Sequence, residues 1–299
     1  MTQLNGWTAR FLMCRPEHFA VNYTINPWMD PQRWARDADA HAAAEREWQA
    51  LYRKLLDLGA AVELVPPVPG LPDLVFTANA AVVLDGKALL ARFRHPERQR
   101  EEEHFEAAFR ALQAHGLIDS VRKLPKDLVL EGAGDCVWDA QRKLFWMGHG
   151  PRSDPSATPV IEEMFGQDVV ALELADPRFY HMDTALAPLP GGEVMYLPRA
   201  FTAAGKAAIH ERVAPNERIE IAIEDGCRLA ANTVALGNTL IISGCGRRLR
   251  AELTARGYDV VTTPLSSFLR SGGSAFCLTL RLDRRAVPLS AIAPQAAVA

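Results

Sequence analysis

Apolar and polar positions repeat one design four times along the chain. NAAVVLDGKALLARF from Asn79, DCVWDAQRKLFWMG from Asp135, DTALAPLPGGEVMYL from Asp183 and NTVALGNTLIISG from Asn232 each run from a short apolar stretch, through a turn carrying Gly, Asp or Asn, into a second apolar stretch. That is the pattern of a β-hairpin. A helical segment follows each one: EEEHFEAAFRALQAHG, TPVIEEMFG, AAGKAAIHERV and RRLRAELTARG. Two of these reach Gly soon after a basic or His residue, as helix C-termini often do. A third strand then completes the unit, as in DVVAL at 168–172 and DVVTT at 259–263.

Near the C-terminus, SGGSAFCLTLRL (271–282) reads as a fifth inner strand. Its alternation predicts Phe276, Leu278, Leu280 and Leu282 on one face and Cys277, Thr279 and Arg281 on the other. Residues 79, 135, 183, 232 and 277 follow one another at intervals of 45 to 56 residues. One supersecondary unit at that period predicts repeats arranged around an axis. The ring closes if ARFLMCRP, near the N-terminus, pairs beside CLTLRL; an open α/β sandwich is the alternative. In a ring, Asn79, Asp135, Asp183, Asn232 and Cys277 converge on the centre. Strand starts facing a core are ordinarily apolar, so this set marks a candidate site.

The chemistry around that set narrows it. In FYHMDT, His181 and Asp183 are two apart and face the same way if the segment is extended. A lone HxD is usually a structural His beside a turn Asp; here it accompanies a matching cysteine. In LEGAGD, Glu131 and Asp135 flank a glycine-rich bend, and two acids without clustered His or Cys suit a planar cation better than a metal. In PDLVFTANA, Asp73 and Asn79 bracket an apolar run, although both residue types also occupy plain turns. Free cysteines are mostly small buried hydrophobes, the reading for Cys14, Cys136 and Cys245. Cys277 stands apart by its polar face and its Gly-Gly lead-in. Arg92, Arg94, Arg98 and Arg152 are solvated surface groups or, for one or two of them, a guanidinium fork for a carboxylate.

Composition removes other classes. The 299 residues are 48% apolar with a net charge of −3, which leaves no basic field for nucleic acid. Apolar runs are too short for a membrane span. The N-terminus lacks the pattern of a secretory signal. Five cysteines without CxxC spacing argue against a disulfide framework or a zinc site, and a reducing cytoplasm is the simplest setting. RAVPLSAIAPQAAVA reads as a flexible tail, 285–299, behind one catalytic domain, 1–284.

Taken in order, MCRPEHFAVNYTINPWMD, PDLVFTANA, RFRHPERQ, LEGAGD, FYHMDT and GGSAFCLTL resemble the guanidine-modifying superfamily of arginine deiminases, dimethylarginine dimethylaminohydrolases and amidinotransferases. The resemblance runs from about residue 10 to 283 and is nearest to the arginine dihydrolase branch. It implies a five-bladed pseudo-symmetric α/β propeller of ββαβ repeats around a central active site, with no metal and no cofactor. By the same resemblance Cys277 is the nucleophile and His181 the general acid/base. Glu131 and Asp183 bind the guanidinium, with Asp73 and Phe76 beside them. Arg98 and Arg152 hold the substrate carboxylate, and Asn79 and Asn26 belong to a second hydrolytic cycle. Deiminases typically carry an acid where this chain has Asn79. The implied partner is arginine or a modified arginine, neither nucleic acid nor membrane; a homo-oligomer is compatible with all of this. Deiminase, dimethylargininase, amidinotransferase and silent ligand-binding roles are the alternatives.

Overall fold

The computed structural model describes residues 8–287, and the repeat appears in it as five three-stranded sheets. In every sheet an inner strand pairs antiparallel with a middle strand, which pairs parallel with an outer one. A parallel step needs a crossover, and a helix supplies it. These helices are Glu101–Ala114, Thr158–Phe165, Ala203–Arg212 and Arg247–Ala255 in the four contiguous blades, and Ala40–Asp57 in the fifth. The fifth blade joins the two ends of the chain. Leu280–Arg281 lies antiparallel to Arg10–Cys14, whose other edge runs parallel to Ala61–Val65. The five blades form an α/β propeller, and the open sandwich is excluded.

Apolar faces meet between blades. Helix Glu101–Ala114 buries Phe105, Phe109 and Leu112 at helical spacing, in a cluster that also holds Leu12, Val83, Leu90 and Leu280 from two neighbouring blades. Helix Ala40–Asp57 does the same with Ala44, Trp48, Leu51 and Leu55, against Phe11, Met13, Ile241 and Phe268. Each buried Leu or Phe contributes about 1.5–3 kcal/mol relative to exposure.

The structure corrects one feature of the sequence reading. The convergent polar residues do not begin the inner strands; they sit in a tight turn just ahead of them. Asn79 lies in the 3₁₀ turn Thr77–Ala80, Asp135 in Gly132–Asp135 and Asp183 in Met182–Ala185. Asn232 follows a turn at 227–231, and Cys277 lies in the turn 275–278. The alternation expected from Phe276 therefore starts only at Leu280. The amide of Leu278 bonds back to Ser274 O (3.1 Å) and that of Thr279 to Phe276 O (2.9 Å), which coils the chain where a pleat was expected.

The expected tail, 285–299, lies outside the described residues from 288 onward. Ala286 itself is buried, and its amide donates to Asp85 Oδ1 (2.9 Å). Among the described residues no helix is long and apolar enough to cross a membrane.

Candidate active site

Eight of the ten side chains singled out from the sequence line one cavity of about 250 Å³: Asn26, Asp73, Phe76, Asn79, Arg98, Arg152, His181 and Cys277. The other two stand directly behind this lining. Glu131 Oε2 is 2.8 Å from His181 Nε2, and Asp183 Oδ2 is 3.1 Å from Cys277 Sγ. His181 and Asp183 do not share a face as an extended segment would require. His181 has extended backbone, but Asp183 belongs to the helical turn that His181 caps. One turns to Glu131 and the other to the thiol.

Glycines make the approach of these groups feasible. At Gly134 a Cβ would lie inside van der Waals contact of Asn79 Nδ2 and 3.5 Å from His181 Nδ1. At Gly273 it would overlap the ring of Phe76, and Gly272 has φ +78° with Tyr180 and Trp28 close by. The Gly-Gly pair thus lets residues 271–273 roof the cavity. There Ser271 O accepts from Asn26 Nδ2 (3.0 Å) and Tyr180 Oη (3.0 Å), while Ser271 Oγ meets Asp73 Oδ1 (3.3 Å).

Both arginines are tied to carboxylates. Arg98 closes its fork on Glu101 (2.9 and 2.8 Å), donates to Asp73 O (3.2 Å) and donates through Nη1 to Asn79 Oδ1 (2.9 Å). What Arg98 retains for a carboxylate is one N–H on Nη1, not the free fork expected from its residue type. Arg152 donates to Glu131 Oε2 (3.0 Å) and Ile25 O (3.1 Å), and its guanidinium lies 4.5 Å from the centroid of the Tyr180 ring. Asn79 Nδ2 donates to Glu131 O (3.3 Å), which leaves its second N–H.

The electrostatics separate the acids. Burial works to raise Glu131, but the Arg152 charge and the bond to His181 outweigh it and hold the carboxyl well below its ordinary range. Burial lifts Asp183 to about 7. It also pushes the Cys277 thiol well above its ordinary value, with Asp183 adding to the rise. Without a cation this pair resists ionisation. Asp183 Oδ1 and Ser274 Oγ are buried with no hydrogen-bond partner, a rare condition for a buried polar atom.

Several members of the site are absent from the sequence reading or given no role in it. Asn232 donates to Cys277 Sγ (3.0 Å) and accepts from the Cys277 amide (3.2 Å); its signal was its place in the repeat. Ser153 donates to Asp135 Oδ2 (2.6 Å) and accepts from the Glu131 amide (2.9 Å); its only signal was adjacency to Arg152. Tyr23 donates to Asp73 (2.8 Å), Tyr180 walls the cavity, and Glu101 is visible only as the i+3 neighbour of Arg98.

A thiol between a carboxylate and an amide, at the axis of five ββαβ blades and beside a His–Glu pair, is the centre of a guanidine-modifying propeller. Residues 15–284 match the family described as N,N dimethylarginine dimethylhydrolase, eukaryotic. The chain is 43% identical over 273 residues to the bifunctional arginine dihydrolase/ornithine cyclodeaminase AgrE of a Nostoc species, covering 91% of this chain and 38% of that protein. It is 36% identical over 275 residues to the N(G),N(G)-dimethylarginine dimethylaminohydrolase of Mycobacterium tuberculosis, covering 92% and 86%. It superposes on the N-terminal domain of ArgZ, an arginine dihydrolase of Synechocystis, with TM-score 0.88 and 39% identity over 93% of this chain and 100% of that one; that structure is a cysteine-to-serine mutant bound to substrate. A second structure of that domain, an asparagine-to-serine mutant covalently bound to a reaction intermediate, matches with TM-score 0.88, 40% identity and coverage of 94% and 100%. The chain belongs to the guanidine-modifying superfamily, on its arginine dihydrolase branch. It spans about 38% of the length of the two cyanobacterial dihydrolases.

Proposed function

We propose that the protein is a cysteine-dependent hydrolase of guanidine C–N bonds that converts arginine to ornithine, ammonia and carbon dioxide. The observation that carries this reading is Asp183, with one oxygen on the Cys277 thiol and the other buried without a partner. A guanidinium N–H supplies what Oδ1 lacks, and its charge favours both the Asp183 carboxylate and the Cys277 thiolate.

The steps follow from the placement. Cys277 Sγ attacks the central guanidine carbon. A C–N bond breaks, and His181 gives its proton to the departing ammonia. Glu131, held ionised by Arg152, orients His181 and balances its charge. The covalent thiouronium is then hydrolysed by water that His181 deprotonates, leaving a ureido group. A dihydrolase continues. Cys277 attacks the urea carbon, the δ-amine of ornithine leaves, and water releases carbamate from sulfur, which breaks down to ammonia and carbon dioxide. The urea oxygen is an acceptor, so it favours neutral amides over carboxylates, and Asn79 and Asn26 each keep one N–H for it. Arg98 Nη1 and Arg152 bind the substrate carboxylate at the cavity wall.

The second reading, release of citrulline from arginine or dimethylarginine, rests on the family match and on the mycobacterial relative. Product mass balance with arginine decides. Ornithine with two equivalents of ammonia supports the dihydrolase and citrulline with one supports the second reading, whereas no turnover of either arginine overturns both.

A further inference from the structure

Cys277 Sγ is surrounded in a way that the general scheme above does not use. Besides the Asp183 carboxylate, which accepts the S–H, an N–H donor points at the sulfur. It is Asn232 Nδ2, at 3.0 Å. A protonated thiol has one hydrogen to give and is a weak acceptor; a buried amide donor aimed at the sulfur suits an anion. The orientation of the Asn232 amide is fixed independently. Its Oδ1 accepts from the Cys277 backbone N–H (3.2 Å), so Nδ2 must face the sulfur and the Asp183 carbonyl (3.3 Å). The residue is fully buried, and its own amide closes the turn on Leu229 O (3.0 Å).

We infer that Asn232 forms a cradle for the Cys277 thiolate, making Asn232 a catalytic residue that acts on the reacting sulfur itself. The cradle and Asp183 oppose one another across the sulfur. With no cation bound, the carboxylate wins and the thiol stays protonated. When a substrate cation occupies Asp183, that repulsion is relieved, and the Asn232 donor holds the anion in line for attack. The same donor acts again whenever sulfur leaves as a thiolate, once after each hydrolysis. A dihydrolase cycle therefore uses the cradle twice per substrate.

This inference rests on Cys277 being the nucleophile. The experiment is iodoacetamide alkylation of Cys277 followed by intact mass from pH 6 to 10, in wild type, Asn232→Ala and Asn232→Asp, with thermal melts alongside. Asn232→Asp keeps the acceptor for the Cys277 amide, so the turn survives while a donor becomes an anion. The expected result is an alkylation midpoint displaced upward in both variants, further in Asn232→Asp, with turnover down about ten-fold or more in Asn232→Ala and KM little changed. Asn232→Ser, which retains a hydroxyl donor, recovers part of the wild-type profile. If both variants alkylate along the wild-type curve while turnover falls, Asn232 is structural and the cradle is wrong. If Cys277→Ser turns over arginine as wild type does, the nucleophile assignment fails instead.

Discussion

Asp135 and Asp183 occupy the same place in consecutive repeats, each in a four-residue helical turn ahead of an inner strand. Both are fully buried. Asp135 is satisfied on both oxygens, by Ser153 Oγ (2.6 Å) and by the Met182 amide (3.1 Å). Asp183 has one oxygen on a thiol and the other on nothing. Repeat position selects the residues that reach the axis, and unpaired hydrogen-bonding capacity then separates the acid whose bonds are complete from the acid with an oxygen left for a ligand.

The largest test of that contrast is at the thiol. Cys277→Ser removes all measurable turnover of arginine, while calorimetry still detects binding. Loss of both would mean that the site, and not only its nucleophile, depends on sulfur. Next in size, Asp183→Asn lowers kcat by about a hundred-fold or more, the scale of losing one preorganised electrostatic partner of the reacting group. Asp135→Asn stays within about ten-fold in kcat but loses about 1–3 kcal/mol of stability, because its new NH2 faces an existing donor. Steady-state kinetics and denaturant melts on the two variants check the pair; equal kinetic losses would erase the distinction. Gly134→Ala forces the Asn79 amide to move. A misplacement of that kind costs up to about a hundred-fold in kcat/KM, and an unchanged value would show that the crowding has no role.

The smallest expected effect is in pH dependence. Burial raises Asp135 to about 6 and Asp183 to about 7 from 3.8. In the unfolded chain both ionise near the ordinary value, so above it the folded state binds more protons and stability falls as pH rises. That decline continues to about pH 6 for Asp135 and about pH 7 for Asp183. Melts of the ligand-free protein should lose the slope between pH 6 and 7 in Asp183→Asn and keep it in Asp135→Asn.

The repeat was legible because hairpin, helix and strand each carry a periodic signal, and the pairing of Leu280–Arg281 with the N-terminal strand followed from counting units. The turns before the inner strands were not legible. SAFCLTLRL alternates as a strand would, and only the backbone bonds at Ser274 and Phe276 reveal the coil. Candidate residues were visible by type, but their partners were not. Nothing in RFRHPERQREE says that the Arg98 fork closes on Glu101, since an i, i+3 pair is ordinarily a surface feature, and here it is fully buried. Asn232 was visible as a repeat position without chemistry, because a hydrogen bond to sulfur 45 residues away leaves no local trace.

The blade that joins the first and last described strands takes Cys277 from a segment made after the other four blades. Four blades and the acids they carry are complete before Cys277 is synthesised, and the amide of Ala78 must wait for Cys277 O as its acceptor (3.1 Å). A nascent chain that stops short of Cys277 holds the acids of the pocket without its thiol, so the thiol and closure of the ring arrive together.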